Sequence, residues 1–141
     1  MTKQEFIEAI APYCQKYSKQ YGFKVASAAI AQACLESAFG TSKKATYHNY
    51  FGLKYRPNRV TCSNGTFSDT GSEQTINGDY KPISTSWFSF ANMEKGVEGY
   101  FQFINTSNYA KVKQANNPYD YLKAIKDAEY ATSLNYVDNV Y

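Results

Sequence analysis

Apolar positions recur with a helical period at both ends of this chain and lose that period in the middle. Thr2, followed three residues on by Glu5, has the pattern of a capping box, and Phe6, Ile7 and Ile10 share one face behind it. Pro12 either opens a second short helix or kinks the first. Tyr13, Cys14, Tyr17 and Tyr21 continue the stripe, and Gly22 closes it. From Val25 to Phe39 the run is apolar nearly all round, which predicts a central, buried helix ended by Gly40. Asn92 is placed to cap a helix whose inner side carries Met93, Val97, Tyr100, Phe101 and Ile104. Asn117-Pro118 starts another, through about Lys126, with Tyr121, Leu122 and Ile125 inward. A last helix is expected from near Ser133, carrying Leu134, Val137 and Val140. The sequence stops inside that pattern at Tyr141, which reads as a domain cut from a longer protein.

Residues 55–90 are different, being rich in Thr, Ser, Asn, Gly and aromatics, with turn signals at Asn64-Gly65, Thr70-Gly71 and Asn77-Gly78. The last of these, between Glu73–Ile76 and Asp79–Ile83, predicts a β-hairpin. The expected fold class is therefore α+β, mostly α: one domain over residues 1–141, with a hairpin lobe inserted among helices. A chain of 141 residues, 43% apolar and 19% charged, is long enough to bury a core without staples.

Composition narrows the chemistry. Fourteen Tyr, nine Phe and one Trp suit a groove that stacks on sugar faces, and suit a half-buried surface equally well. The net charge of +3 is scattered, without the Lys/Arg stripe that nucleic acid requires, though compatible with an anionic polymer. Cys14, Cys34 and Cys62 cannot all pair and none sits in a Cys-x-x-Cys spacing. With His48 the lone histidine, neither a metal site nor a cofactor is expected. Cys14 and Cys34 read as buried thiols on helix faces, a disulfide being the alternative. No apolar run approaches the ~20 residues of a membrane span, and no signal-peptide core precedes the first helix. A target outside the membrane then implies delivery through a longer parent chain or a lysis pore, the protein staying cytoplasmic until release. A monomer is expected, with no membrane insertion.

Glu36 is the only acid between Glu8 and Asp69, and it lies on the most apolar helix. Burial and the negative end of the helix dipole both favour its protonated form, as proton donation to a glycosidic oxygen needs. A surface-type ion pair with Lys43 or Lys44, just beyond the helix, is the level alternative.

The stretch Ala29-Ile-Ala-Gln-Ala-Cys-Leu-Glu-Ser-Ala-Phe-Gly40, followed by His48-Asn-Tyr-Phe-Gly-Leu-Lys54, resembles the glucosaminidase domain of glycoside hydrolase family 73. That family includes bacterial autolysins, the flagellar peptidoglycan hydrolase and phage endolysins. Gln32, Glu36, Ser37 and Gly40 match its first motif, and Asn49, Phe51, Gly52 and Lys54 its second. Tyr130-Ala-Thr-Ser-Leu-Asn-Tyr136 is similar to a third, with Ser133-Leu134 in place of Asp-Pro. The resemblance implies a lysozyme-like helical fold with a small β-lobe beside a groove. It implies endo-hydrolysis of the β-1,4 bond after N-acetylglucosamine in peptidoglycan glycan strands. It makes Glu36 the general acid. Tyr130 would orient the water or the substrate's acetamido group, a core ring being the alternative. Glu73 is the nearest match to the β-lobe acid that activates water, with Asp69 and Asp79 as rivals. Gln32, Phe51 and Tyr136 are expected on the glycan site, and Asn49 there too, through the loop at the groove floor. Trp87 and Phe88 line a subsite or cover the core; His48, Glu94 and Glu98 read as structural or solvated. A muramidase, a lytic transglycosylase and a wall-binding module without turnover are the competing functions. Met1 directly before a helix start points to an endolysin, with autolysin, flagellar and sporulation enzymes as alternatives.

Overall fold

The capping box expected at the N-terminus is present in the computed structural model, which describes residues 1–74 and 80–128, giving for strand residues 69–74 and 80–84 the backbone alone. Thr2 accepts a hydrogen bond from the Glu5 amide, the Glu5 carboxylate accepts one from the Thr2 amide, and helix α1 (Lys3–Gln20) starts there. The Thr2 bond keeps the Glu5 carboxyl below its ordinary pKa. Thr2→Ala is expected to cost about 1 kcal/mol, read as a fall of a few degrees in Tm.

Pro12 opens no second helix, one of the two outcomes expected of it: α1 runs through it unbroken. It lies on the exposed side, where the carbonyl it leaves unpaired faces water. Phe6, Ile10, Cys14 and Tyr17 on the opposite side are buried and carry the helix through.

Helix α2 (Ser27–Glu36) is central but not buried all round: Ala28, Ala29, Gln32 and Ala33 face the core, while Leu35 is 44% exposed. A four-residue turn, α3 (Lys43–Thr46), follows. Helix α4 (Met93–Ile104) begins at Asn92, whose side chain accepts from the Lys95 amide, and Val97, Tyr100, Phe101 and Ile104 are fully buried. Glu94 is not merely solvated, for it receives Lys16 Nζ at 2.9 Å and the Tyr17 hydroxyl at 3.0 Å, tying α4 to α1. After the short α5 (Ala110–Gln114), α6 (Pro118–Asp127) opens on Asn117 and Pro118 as expected and buries Tyr121, Leu122 and Ile125. Helix α1 packs on α2 and α4, and α2 also meets α6, so one core lies between them.

The middle of the chain supplies an antiparallel ribbon, β1 (Gly65–Gln74) and β2 (Tyr80–Ser89), in a register that runs from Gly65 opposite Ser89 to Gln74 opposite Tyr80. Thr70-Gly71 lies within β1, where pairing with Ser84 and Ile83 overrides its turn signal. Alternation along β2 sends Phe88 into the core and leaves Trp87 half-buried on the other side. Asn77-Gly78, Asp79 and the helix expected from Ser133 lie outside the described residues.

Candidate active site

Helix α2 stops at Glu36, three residues before the end its composition suggested. Ser37 makes the stop: its hydroxyl donates to the Ala33 carbonyl at 2.6 Å and accepts from the Gly40 amide at 3.0 Å. Ala38, Phe39 and Gly40 then take left-handed backbone angles, φ of 49°, 55° and 81°. Two consecutive non-glycine residues in that region are held there by packing, because the Phe39 ring sits edge-on to Phe6 of α1. Gly40 lies so close to the same ring that a Cβ would come within 2.7 Å of it. Glu36 is thereby the last helical residue, at the negative end of the α2 dipole.

The second motif forms the loop opposite. Asn49, buried, donates to the carbonyls of Leu53 at 3.0 Å and Phe88 at 2.8 Å, and accepts from the Leu53 amide at 2.8 Å. The Phe88 amide returns a bond to Leu53, and Lys54 makes a bridge with Trp87, so the loop is laced to β2. From α4, Gly96 presses against the His48 carbonyl, and His48 Nδ1 lies 2.9 Å from the Tyr50 hydroxyl. This framework delivers Gly52, at φ +67°, to the acid: a Cβ there would stand 3.1 Å from Glu36 Oε2. Gly52→Ala is expected to displace the carboxyl and strain the loop, lowering kcat about tenfold and stability by about 1 kcal/mol. Steady-state kinetics beside thermal melts would check both.

Burial raises the Glu36 pKa, and the positive charge of Lys44 opposes it in part. Glu36 is half-buried and makes no hydrogen bond or ion pair with any of the described residues. Lys44 Nζ stands 4.0 Å from the centre of the Trp87 ring, and Lys54 Nζ 5.8 Å from it. Nearby, Tyr47 stacks flat on Phe67 at 4.0 Å, with part of its ring exposed. A protonatable carboxyl, a pair of lysines and exposed ring faces are thus gathered where α2, the 49–54 loop and the ribbon meet. Such a site can donate a proton to a neutral, hydroxyl-rich substrate.

Two residues expected on the glycan site are placed in the core instead. Gln32 is fully buried, with its side-chain oxygen accepting from the Tyr100 hydroxyl, itself 2.6 Å from that of Tyr121. Phe51 is fully buried and stacks on Tyr100 at 4.0 Å. Both brace the elements that carry Glu36 and Gly52, and neither presents surface to a ligand. Asn49 ties the loop, and Trp87 is the candidate left partly exposed. Glu73 lies on β1 opposite Lys81, six residues beyond Phe67, a contour of roughly 20 Å, while Asp69 is two residues beyond, roughly 7 Å. Tyr130 and Tyr136 lie outside the described residues. Gly52, read only as a motif match, and the seat of Lys44 on Trp87 were not anticipated, because both depend on contacts between distant segments. Cys14 and Cys34 are free and buried, as the helix faces suggested, and burial pushes the Cys14 thiol up to about 12.

The family profile described as glucosaminidase, mannosyl-glycoprotein endo-beta-N-acetylglucosaminidase, matches residues 11–141. No curated protein sequence gives a significant match. Among solved structures, a mutant peptidoglycan hydrolase from Sphingomonas sp. A1 is similar at a TM-score of 0.81 and 26% identity, over 97% of this chain and 89% of that one. The catalytic domain of the autolysin Auto from Listeria monocytogenes is similar at 0.77 and 23% identity, over 98% and 80%. A glycoside hydrolase domain of FlgJ from Salmonella typhimurium gives 0.72 and 23% identity, over 99% and 93%. The last two speak to the lysozyme-like fold alone. With the family profile spanning nearly the whole chain, this protein belongs to the glucosaminidase family, glycoside hydrolase family 73, and is a glycoside hydrolase.

Proposed function

We propose that this enzyme cuts the β-1,4 bond after N-acetylglucosamine within peptidoglycan glycan strands, with Glu36 as the general acid. Peptidoglycan hydrolysis of the family 73 type follows from the family and its hydrolase neighbours; the bond and the residues are the further step. The observation that carries the assignment is the placement of Glu36: an acid at the end of an apolar helix, its pKa raised by burial, against a glycine that leaves its carboxyl open. In the protonated state it donates to the leaving glycosidic oxygen as the C–O bond breaks, and the resulting carboxylate is stabilised by the nearby Lys44 charge. Glu73 on β1 is our candidate for the base that takes a proton from the attacking water, Asp69 and Asp79 being its rivals. Tyr130 orients that water or the acetamido group, Trp87 offers its ring to a sugar face, and Tyr136 takes part in binding the glycan. The enzyme acts as a monomer at the cell wall, and reaches it from the cytoplasm on release or as part of a longer protein.

Purified cell walls digested with the protein test this reading by the identity of the new reducing ends. Reducing N-acetylglucosamine is the expected product on mass spectrometry. Reducing N-acetylmuramic acid would make the enzyme a muramidase, an anhydro sugar a lytic transglycosylase, and binding without release a wall-binding module.

A further inference from the structure

Three separate segments bring one cation to the acid. α3 carries Lys44, β2 carries the Trp87 ring on which its ammonium rests, and the 49–54 loop contributes a glycine between them and Glu36. A Cβ at Gly52 would stand 3.1 Å from Glu36 Oε2 and 3.9 Å from Lys44 Nζ, so acid and ammonium lie within about 7 Å across the space that glycine leaves. They form no direct ion pair. Other ionisable groups on the surrounding elements are placed differently. Lys54 stands farther along the same indole, Lys43 is exposed, and His48 is engaged with Tyr50. Asp69 and Glu73 are the acids on β1.

We propose that Lys44 is a positioning residue for the acid: its ammonium, seated on the Trp87 ring, holds one positive charge at a set distance from the Glu36 carboxyl and so fixes the pH at which that carboxyl gives up its proton. This rests on reading Glu36 as the general acid. A lysine in direct contact would keep the carboxyl ionised and disarm it. With no lysine at all, burial would act unopposed, and the carboxylate left after proton donation would lack a counter-charge. The aromatic seat gives the intermediate arrangement, attracting the ammonium by its ring face and keeping it from closing on the carboxylate.

A carbon-13 NMR titration of the Glu36 carboxyl in the substrate-free protein tests this without recourse to turnover. In Lys44→Met the midpoint moves to higher pH, and the alkaline limb of kcat/KM moves up with it. Lys44→Arg, which keeps both the charge and the ring contact, restores each towards the native position. Trp87→Leu, which removes the seat but not the charge, also moves the midpoint. An unchanged Glu36 midpoint in folded Lys44→Met overturns the proposal. Failure of the acid assignment is told apart from this by Glu36→Gln, whose retained activity would remove the catalytic reading whatever Lys44 does to the titration.

Discussion

Glu36→Gln is expected to lower kcat on peptidoglycan by about 10²- to 10⁴-fold, with the fold intact. The amide has the shape of the acid and fits the same space beside Gly52, but it has no proton acidic enough for a departing glycosidic oxygen. Because burial raises the carboxyl's pKa, the native enzyme keeps its acid protonated to higher pH than an ordinary glutamate would. If Glu36 is the general acid proposed above, activity is therefore expected to fall as pH rises through its folded pKa. The same shift has a consequence for stability. A carboxyl whose pKa is raised on folding binds its proton more tightly in the folded state. Its contribution is fully present below the unfolded value and is lost as pH rises through the folded one. The Gln side chain has no such dependence. The variant should melt beside the native protein in acid and move to a higher relative Tm at neutral pH. Reducing-end release and melts at two pH values read both effects. A variant within about threefold of native turnover would remove Glu36 from the mechanism.

How far the sequence reveals this architecture depends on how local each cause is. Thr2 with Glu5, Asn92, and Asn117 with Pro118 marked helix starts correctly, because a cap is settled by residues within one turn of each other. Glu36 stood out for a similar reason, as a single acid in an apolar stretch. Where the outcome depends on packing between distant segments, local signals failed. Ala38 and Phe39 carry no mark of a left-handed turn, and it is Phe6, some thirty residues earlier, that holds them in one. Pro12 offered a start for a second helix, but the buried face of α1 carries that helix through one missing hydrogen bond on its wet side. Gln32 and Phe51 show a different limit. A shared motif says that a residue matters to the site, yet does not say whether it touches substrate or braces the residue that does. Only burial separates the two, and both are wholly buried.

Asn49 gives the sharpest test of that distinction, because its three hydrogen bonds make a large loss of stability the expected result of removing it. In Asn49→Ala the Leu53 carbonyl keeps the Phe88 amide, but the Leu53 amide and the Phe88 carbonyl lose the Asn49 partners described above. Buried polar groups left unpaired cost about 1–3 kcal/mol each, so the variant should lose roughly 2–6 kcal/mol, a fall in Tm of the order of 10 °C. Asn49→Asp is the more telling change. It keeps the acceptor for Leu53 but turns a donor into an acceptor facing two carbonyl oxygens, which disfavours the charged carboxylate. Its folded pKa is raised, so its stability is greatest below the ordinary pKa of an aspartate and falls as pH rises through the folded value. The fraction that stays folded should also turn over more slowly, since the same loop sets Gly52 against Glu36. A substrate-binding role for Asn49 predicts the opposite pattern: a raised KM, with Asn49→Ala melting within about 1 °C of the native enzyme.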